Sequence, residues 1–262
     1  MYTKKTHEVE KILEGGKIIG EILDHLASMV KPGVSAFEID CTAEKMIREA
    51  GGRPAFKGYK TRVTDTPFPS TICASVNNEL VHGIAHKEKI LREGDIFSID
   101  IGMEYPAHNG FYTDTALTVV VGEVDDKTQE LLDVTKKALE IGIEKAQPGN
   151  TVADIGLAIE KYIKPQGYGI VEDLVGHGGG HAVHEEPRVP NFYDKEPETW
   201  ILKPGVVIAI EPMIALGTHE VKTAEDGWTI STSDGALNAH FEHTVVVTEN
   251  GPVIATLRPS ES

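Results

Sequence analysis

The sequence predicts an α+β protein of two related halves, each running helix, helix, strand, strand. An internal repeat, amphipathic helical periodicity and four β-branched runs predict it. LREGDIFSIDIG (91–102) aligns with LKPGVVIAIEPM (202–213), setting Gly94 on Gly205, Ile99 on Ile210 and Asp100 on Glu211. KPGVSAFEI (31–39) aligns in the same way with QPGNTVADI (147–155), and TDTALTVVV (113–121) echoes FEHTVVVT (241–248). Three matches in one order mark a duplication. Its halves fall at about 8–125 and 126–252, within one domain spanning 1–262.

The elements follow in chain order. Residues 8–30 carry Val9, Ile12, Leu13, Ile19, Ile22, Leu23 and Leu26 at helical spacing, a core-facing helix. A Pro-Gly turn then leads to Ser35, which reads as the N-cap of a second helix. The segment 58–70, GYKTRVTDTPFPS, is a polar loop ending in prolines. Strands are predicted at 96–101 and 115–121, helices at 127–146 and 151–164 with Thr151 as N-cap, and strands at 206–210 and 244–248. No linker or low-complexity tail separates them.

Composition narrows the function. An apolar fraction of 40% and a charged fraction of 25% across 262 residues suit a globular protein with a sizeable core. No apolar run could span a bilayer, and MYTKKTHEVEKILEGG lacks the apolar stretch of a secretory signal. Two cysteines, Cys41 and Cys73, are too few for a disulfide framework, so a reducing cytoplasm is expected. A net charge of −16 would repel a phosphate backbone, which excludes nucleic acid as a partner.

The acids at the strand ends carry the chemistry. Asp100 leaves the strand on the face opposite Ile99 and Ile101. Asn109-Gly110 suggests a hairpin return; centred near residue 107, it would set Asp100 directly opposite Asp114. Carboxylates so close repel unless a proton or cation lies between them. The second half repeats the device with Glu211 and Glu242, so four acids point to one shared centre.

VGHGGGHAVHEEP (175–187) adds three histidines. A phosphate loop of the form G-x-G-x-x-G fails, because His181 stands at the third glycine. A helical zinc site would use the i, i+4, i+7 spacing of His177, His181 and His184, but three consecutive glycines each cost a helix about 1 kcal/mol relative to alanine. An extended, close-packed backbone is expected instead, bringing one or two histidines to the shared centre. One histidine with four carboxylates suits Mn²⁺, Fe²⁺ or Co²⁺, or Zn²⁺, in an open site.

Asp100, Asp114, His177, Glu211 and Glu242 stand in the contexts SIDIG, FYTDTA, GHGGGH, IEPM and FEHTVVVT. In these the chain resembles the type I methionine aminopeptidases, and PSTICASVNNELVHGI (69–84) looks like the segment carrying their active-site histidine. The resemblance covers nearly the whole chain. It implies the pita-bread fold, two pseudo-symmetric halves of helices packed on a curved, mostly antiparallel sheet around two divalent metal ions (Co, Mn, Fe or Zn). It implies that Asp114 and Glu242 bridge the ions, that Asp100 chelates one, and that His177 and Glu211 complete the other. His82 and His184 would contact the scissile amide, Glu211 would shuttle a proton, and His181 would do neither. Tyr59, Phe68, Cys73, Val183 and Trp228 fall where the family lines its methionine pocket.

The implied activity is removal of the N-terminal methionine from nascent proteins and peptides with a small second residue. The implied partner is a peptide or nascent-chain N-terminus, met in transient contact with the ribosome by a cytoplasmic monomer. Three departures stand out. Ala85 replaces the family's proline after HGI, the 60–67 loop and 103–113 connection are long, and Val183 replaces an aromatic beside His184. Such a replacement would open the methionine pocket. VHEEP also resembles the Xaa-Pro peptidases of the same fold, which carry an extra N-terminal domain; no such extension is expected here. The remaining alternative is a non-catalytic pita-bread binding module.

Overall fold

The computed structural model describes residues 3–60 and 66–261. Residues 61–65 of the long 60–67 loop lie outside them, so that expectation concerns residues not described. The predicted helices form within two residues of their expected bounds: α1 Thr6–Ser28, α2 Ala36–Glu49, α3 Asp126–Lys145 and α4 Val152–Ile163. Ser35 caps α2 by accepting from the Phe37 N–H, and Thr151 caps α4 in a reciprocal box with Asp154.

Among the described residues, nine strands pair antiparallel in one curved sheet. Its middle runs Ile96–Tyr105, Phe111–Val120, Glu242–Thr248, Val207–Ile210 and Gly176–Gly178. α1 packs on the first two of these strands and on α2, while α3 packs on α4 and on the Val207–Ile210 and Glu242–Thr248 strands. Ile99 and Ile101 are fully buried in one core with Ile19, Leu23 and Leu26 of α1. The two-residue strand period therefore turns Asp100 to the other face. No described helix is long and apolar enough to cross a membrane.

Two expectations are corrected. The 96–101 strand continues to Tyr105 and its partner begins at Phe111, so the 103–113 connection is mostly paired strand, closed by residues 106–110. Asp100 lies opposite Ala116, and Asp114 opposite Gly102, rather than facing each other. The turn, with His108 and Asn109 at positive φ, is centred on residue 108. Moving the centre by one residue moves every partner by two. That preserves the face of Asp114 while placing it diagonally from Asp100.

Candidate metal centre

Three strands bring the acids together. Glu242 pairs with Ala116, which also lies opposite Asp100, so the Phe111–Val120 strand holds the two acid-bearing strands on either side. The His243–Ile210 register carried one residue further sets Glu211 beside Glu242. Thr244 locks this junction: its hydroxyl accepts from the Asp114 N–H at 3.0 Å and lies 2.8 Å from the Asp114 carbonyl and 2.9 Å from Oδ1. Thr115 donates to the Glu242 carbonyl at 2.8 Å.

His177 enters on the Gly176–Gly178 strand, extended as the glycines suggested. A Cβ on Gly176 would stand 2.3 Å from the Ala209 carbonyl oxygen, and one on Gly178 2.2 Å from that of Glu186, so neighbouring strands close in only around glycine. His177 Nδ1 lies 2.9 Å from the Gly178 carbonyl. With its N–H there, Nε2 turns a lone pair toward Asp114 Oδ2 at 3.4 Å and Glu211 Oε1 at 3.6 Å. Donor atoms of Asp114, His177 and Glu242 all lie within 4.8 Å of one another.

The electrostatics call for a cation. Burial first, and the neighbouring carboxylates with it, push Asp100 up to about 7 and hold Glu242 well above the usual carboxylate range. Glu211 is pushed up to about 8 by burial and Asp114, against the opposing pull of His177. Burial disfavours the His177 imidazolium, yet Asp114 and Glu211 outweigh it and raise its pKa. Asp100 Oδ1 is buried with no hydrogen-bond partner among the described residues. A buried acid set that repels itself, with an orphaned oxygen and a histidine lone pair aimed inward, fits a divalent ion.

Above this floor lies a cavity of about 650 Å³. Tyr59, Phe68, Cys73 and Trp228 line it, with Phe56. Phe68 meets Trp228 edge to face at 5.2 Å, and the indole Nε1–H donates to the Thr66 carbonyl at 3.1 Å. His82, at φ 56°, also reaches the cavity, 6.1 Å from the Trp228 ring. Burial holds it neutral, down to about 4. His184 opens into the same space with its ring 4.5 Å from that of His177 and its Nδ1 3.0 Å from the Tyr59 hydroxyl. Desolvation, then His177 and His82, push it down to about 3. His181 is exposed and contacts Glu8 at 3.2 Å, outside the cavity.

Val183 is buried and is not among the residues lining the cavity, whereas its neighbour His184 is. Sequence reasoning missed Phe56, which fits over Gly102, where a Cβ would meet its ring at 2.7 Å. It also missed His240, whose Nε2 lies 3.5 Å from Glu211 Oε2. The i, i+2 spacing from Glu242 was the available signal.

The pattern of metallopeptidase family M24 matches residues 10–249. The chain belongs to metallopeptidase family M24. It is 45% identical over 253 residues to a methionine aminopeptidase of Aquifex aeolicus, covering 95% of this chain and 96% of that one. A crystal structure of a methionine aminopeptidase from Thermotoga maritima superposes with a TM-score of 0.90 at 38% identity, covering 97% of this chain and 98% of that one. The prolidase of Pyrococcus horikoshii matches with a TM-score of 0.77 at 24% identity, and the chain covers 64% of it, a likeness of fold. Family M24 enzymes are metallopeptidases, so the acid floor is where a divalent ion would sit.

Proposed function

We propose that this chain is a methionine aminopeptidase, a metal-dependent hydrolase that removes N-terminal methionine from peptides and nascent chains with a small second residue. The observation that carries it is a single cavity with an acid floor and an aromatic wall. Asp100, Asp114, His177, Glu211 and Glu242 converge at its base, with Phe68, Cys73, Trp228 and Tyr59 beside them. Those five residues would hold two divalent ions, cobalt, manganese, iron or zinc. When bound, the ions supply Lewis acidity toward a carbonyl oxygen and toward water.

The chain's own groups supply the rest. Glu211 keeps a proton up to about pH 8 in the metal-free centre, so its carboxylate can take a proton from water and pass it to the leaving amine. In the tautomer in which His184 Nδ1 accepts a hydrogen bond from the Tyr59 hydroxyl, 3.0 Å away, its Nε2–H is free to donate to the developing charge on the scissile carbonyl. His82, held neutral, orients the amide from the other side. Phe68, Trp228 and Cys73 exclude water from the first side chain and accept an unbranched apolar one.

The chain acts as one domain, its halves near 8–125 and 126–252 each supplying ligands to the shared centre. This reading is supported by the order of two helices followed by strands, which recurs on either side of residue 126. A cytoplasmic monomer that meets nascent chains transiently at the ribosome completes the proposal. The Xaa-Pro peptidase alternative shares the fold but not the extent of sequence identity. Metal-free protein given Mn²⁺, Fe²⁺ or Co²⁺ is expected to release methionine from Met-Ala-Ser and to leave Ala-Pro-Ala intact. The reverse preference would refute the assignment.

A further inference from the structure

His240 is 1% exposed, and neither ring nitrogen has a hydrogen-bond partner among the described residues. An imidazole carries both a donor and an acceptor, and burying both unpaired is costly. The ring is not adrift, because its backbone is fixed from two sides. The His240 N–H donates to Thr118 Oγ1 at 2.9 Å, and that hydroxyl donates back to the His240 carbonyl at 3.0 Å. With its only proton so used, Thr118 accepts from Ser98 at 2.7 Å. Antiparallel pairing of His240 with Met213 fixes the other edge, two residues beyond Glu211. A buried, unpartnered imidazole is thus held rigidly at the base of the acid floor.

Its direction is informative. Glu211 presents Oε1 to His177 Nε2 at 3.6 Å and Oε2 to His240 Nε2 at 3.5 Å, so one carboxylate lies between two imidazoles. Both separations are long for a hydrogen bond. They match donors sharing a metal ion, which at ligand distances of about 2.0–2.2 Å stand roughly 3–3.6 Å apart. The 3.4 Å between His177 Nε2 and Asp114 Oδ2 belongs to the same set.

We propose that His240 is a further nitrogen donor to the metal centre, ligating through Nε2 on the side of Glu211 away from His177. The centre then holds two imidazoles, where the sequence pattern assigned one. Its softer, nitrogen-richer donor set favours the later divalent ions over manganese. The inference rests on the divalent-metal reading above.

The test is to load metal-free protein with cobalt(II) and record its proton NMR spectrum. Each metal-bound imidazole contributes one solvent-exchangeable, strongly shifted N–H resonance. Two are expected in the natural protein, and one in each of His177→Ala and His240→Gln. His240→Gln should also weaken cobalt binding by calorimetry about tenfold or more, at least what losing an outer residue of a metal site costs. A single shifted resonance in the natural protein, unchanged by His240→Gln, would overturn the proposal. That spectrum decides even if a variant fails to fold. No shifted resonance at all would overturn the metal centre itself, and this assignment with it.

Discussion

Replacing Glu211 by glutamine should stabilise the metal-free protein, although it removes a residue assigned to the centre. Burial and Asp114 push the Glu211 carboxyl up to about 8, whereas in the unfolded chain it titrates near 4.5. The folded state therefore keeps a proton that the unfolded chain releases, and the stability this proton contributes is lost as pH rises from about 4.5 to 8. A carboxyl moved from near 4.5 to about 8 loses about 4 kcal/mol of that contribution by pH 8. Protons are shared across the acid cluster, so about 2–5 kcal/mol is the working range. Glutamine has no proton to lose, so Glu211→Gln should match the natural protein near pH 4.5 and exceed it at pH 8.

At about 2–4 °C per kcal/mol for a chain near this size, the melting temperature should rise by roughly 5–20 °C. His177 does not cancel in the comparison: Glu211 helps to raise its pKa, and glutamine removes that support, which belongs to the same working range. The assay is thermal or denaturant unfolding of chelator-treated proteins at pH 4.5, 6 and 8. Saturating metal should narrow the gap, since ion at about 100 times its Kd stabilises the natural protein by about 2.7 kcal/mol. A variant no more stable than the natural protein at pH 8 would refute the picture of a self-repelling acid floor.

Three further outcomes follow from the same geometry. His184→Ala should lower kcat by about 10²–10³ with metal content unchanged, since the ring is read as a contact to developing charge; loss of metal by elemental analysis would make it a ligand instead. Thr244→Val takes the hydroxyl from Asp114 and should weaken metal binding about 10–100-fold by calorimetry, while Thr244→Ser retains it. Lys4, buried at 6% exposure, reaches Glu185 at 2.8 Å, and Glu185 in turn accepts from the N–H groups of His181 and Ala182 in the loop carrying His184. Lys4→Met should cost about 3 kcal/mol in denaturant unfolding by stranding that carboxylate, and the added change Glu185→Gln should recover much of the loss.

Helices and acids were legible in the sequence for different reasons. α1 to α4 carry their apolar faces and caps in local order, so a 3.6-residue period and Ser35 or Thr151 suffice to find them. The five residues of the acid floor stood out by type and by repeated context. The Asp100–Asp114 register did not, because a turn one residue further on moves every pair by two without disturbing the apolar–polar alternation.

The sequence by itself determined which residue types alternate along each strand, and hence which face of the sheet is apolar and which carries charge. That is a local property, set by the two-residue period of the backbone. Only the tertiary structure decided which atoms meet. The place of His240 between Glu211 and the core, the seat of Phe56 over Gly102, and the locking of Asp114 by Thr244 each join segments distant along the chain. Such contacts depend on strand register and side-chain packing across the sheet, which no local period encodes.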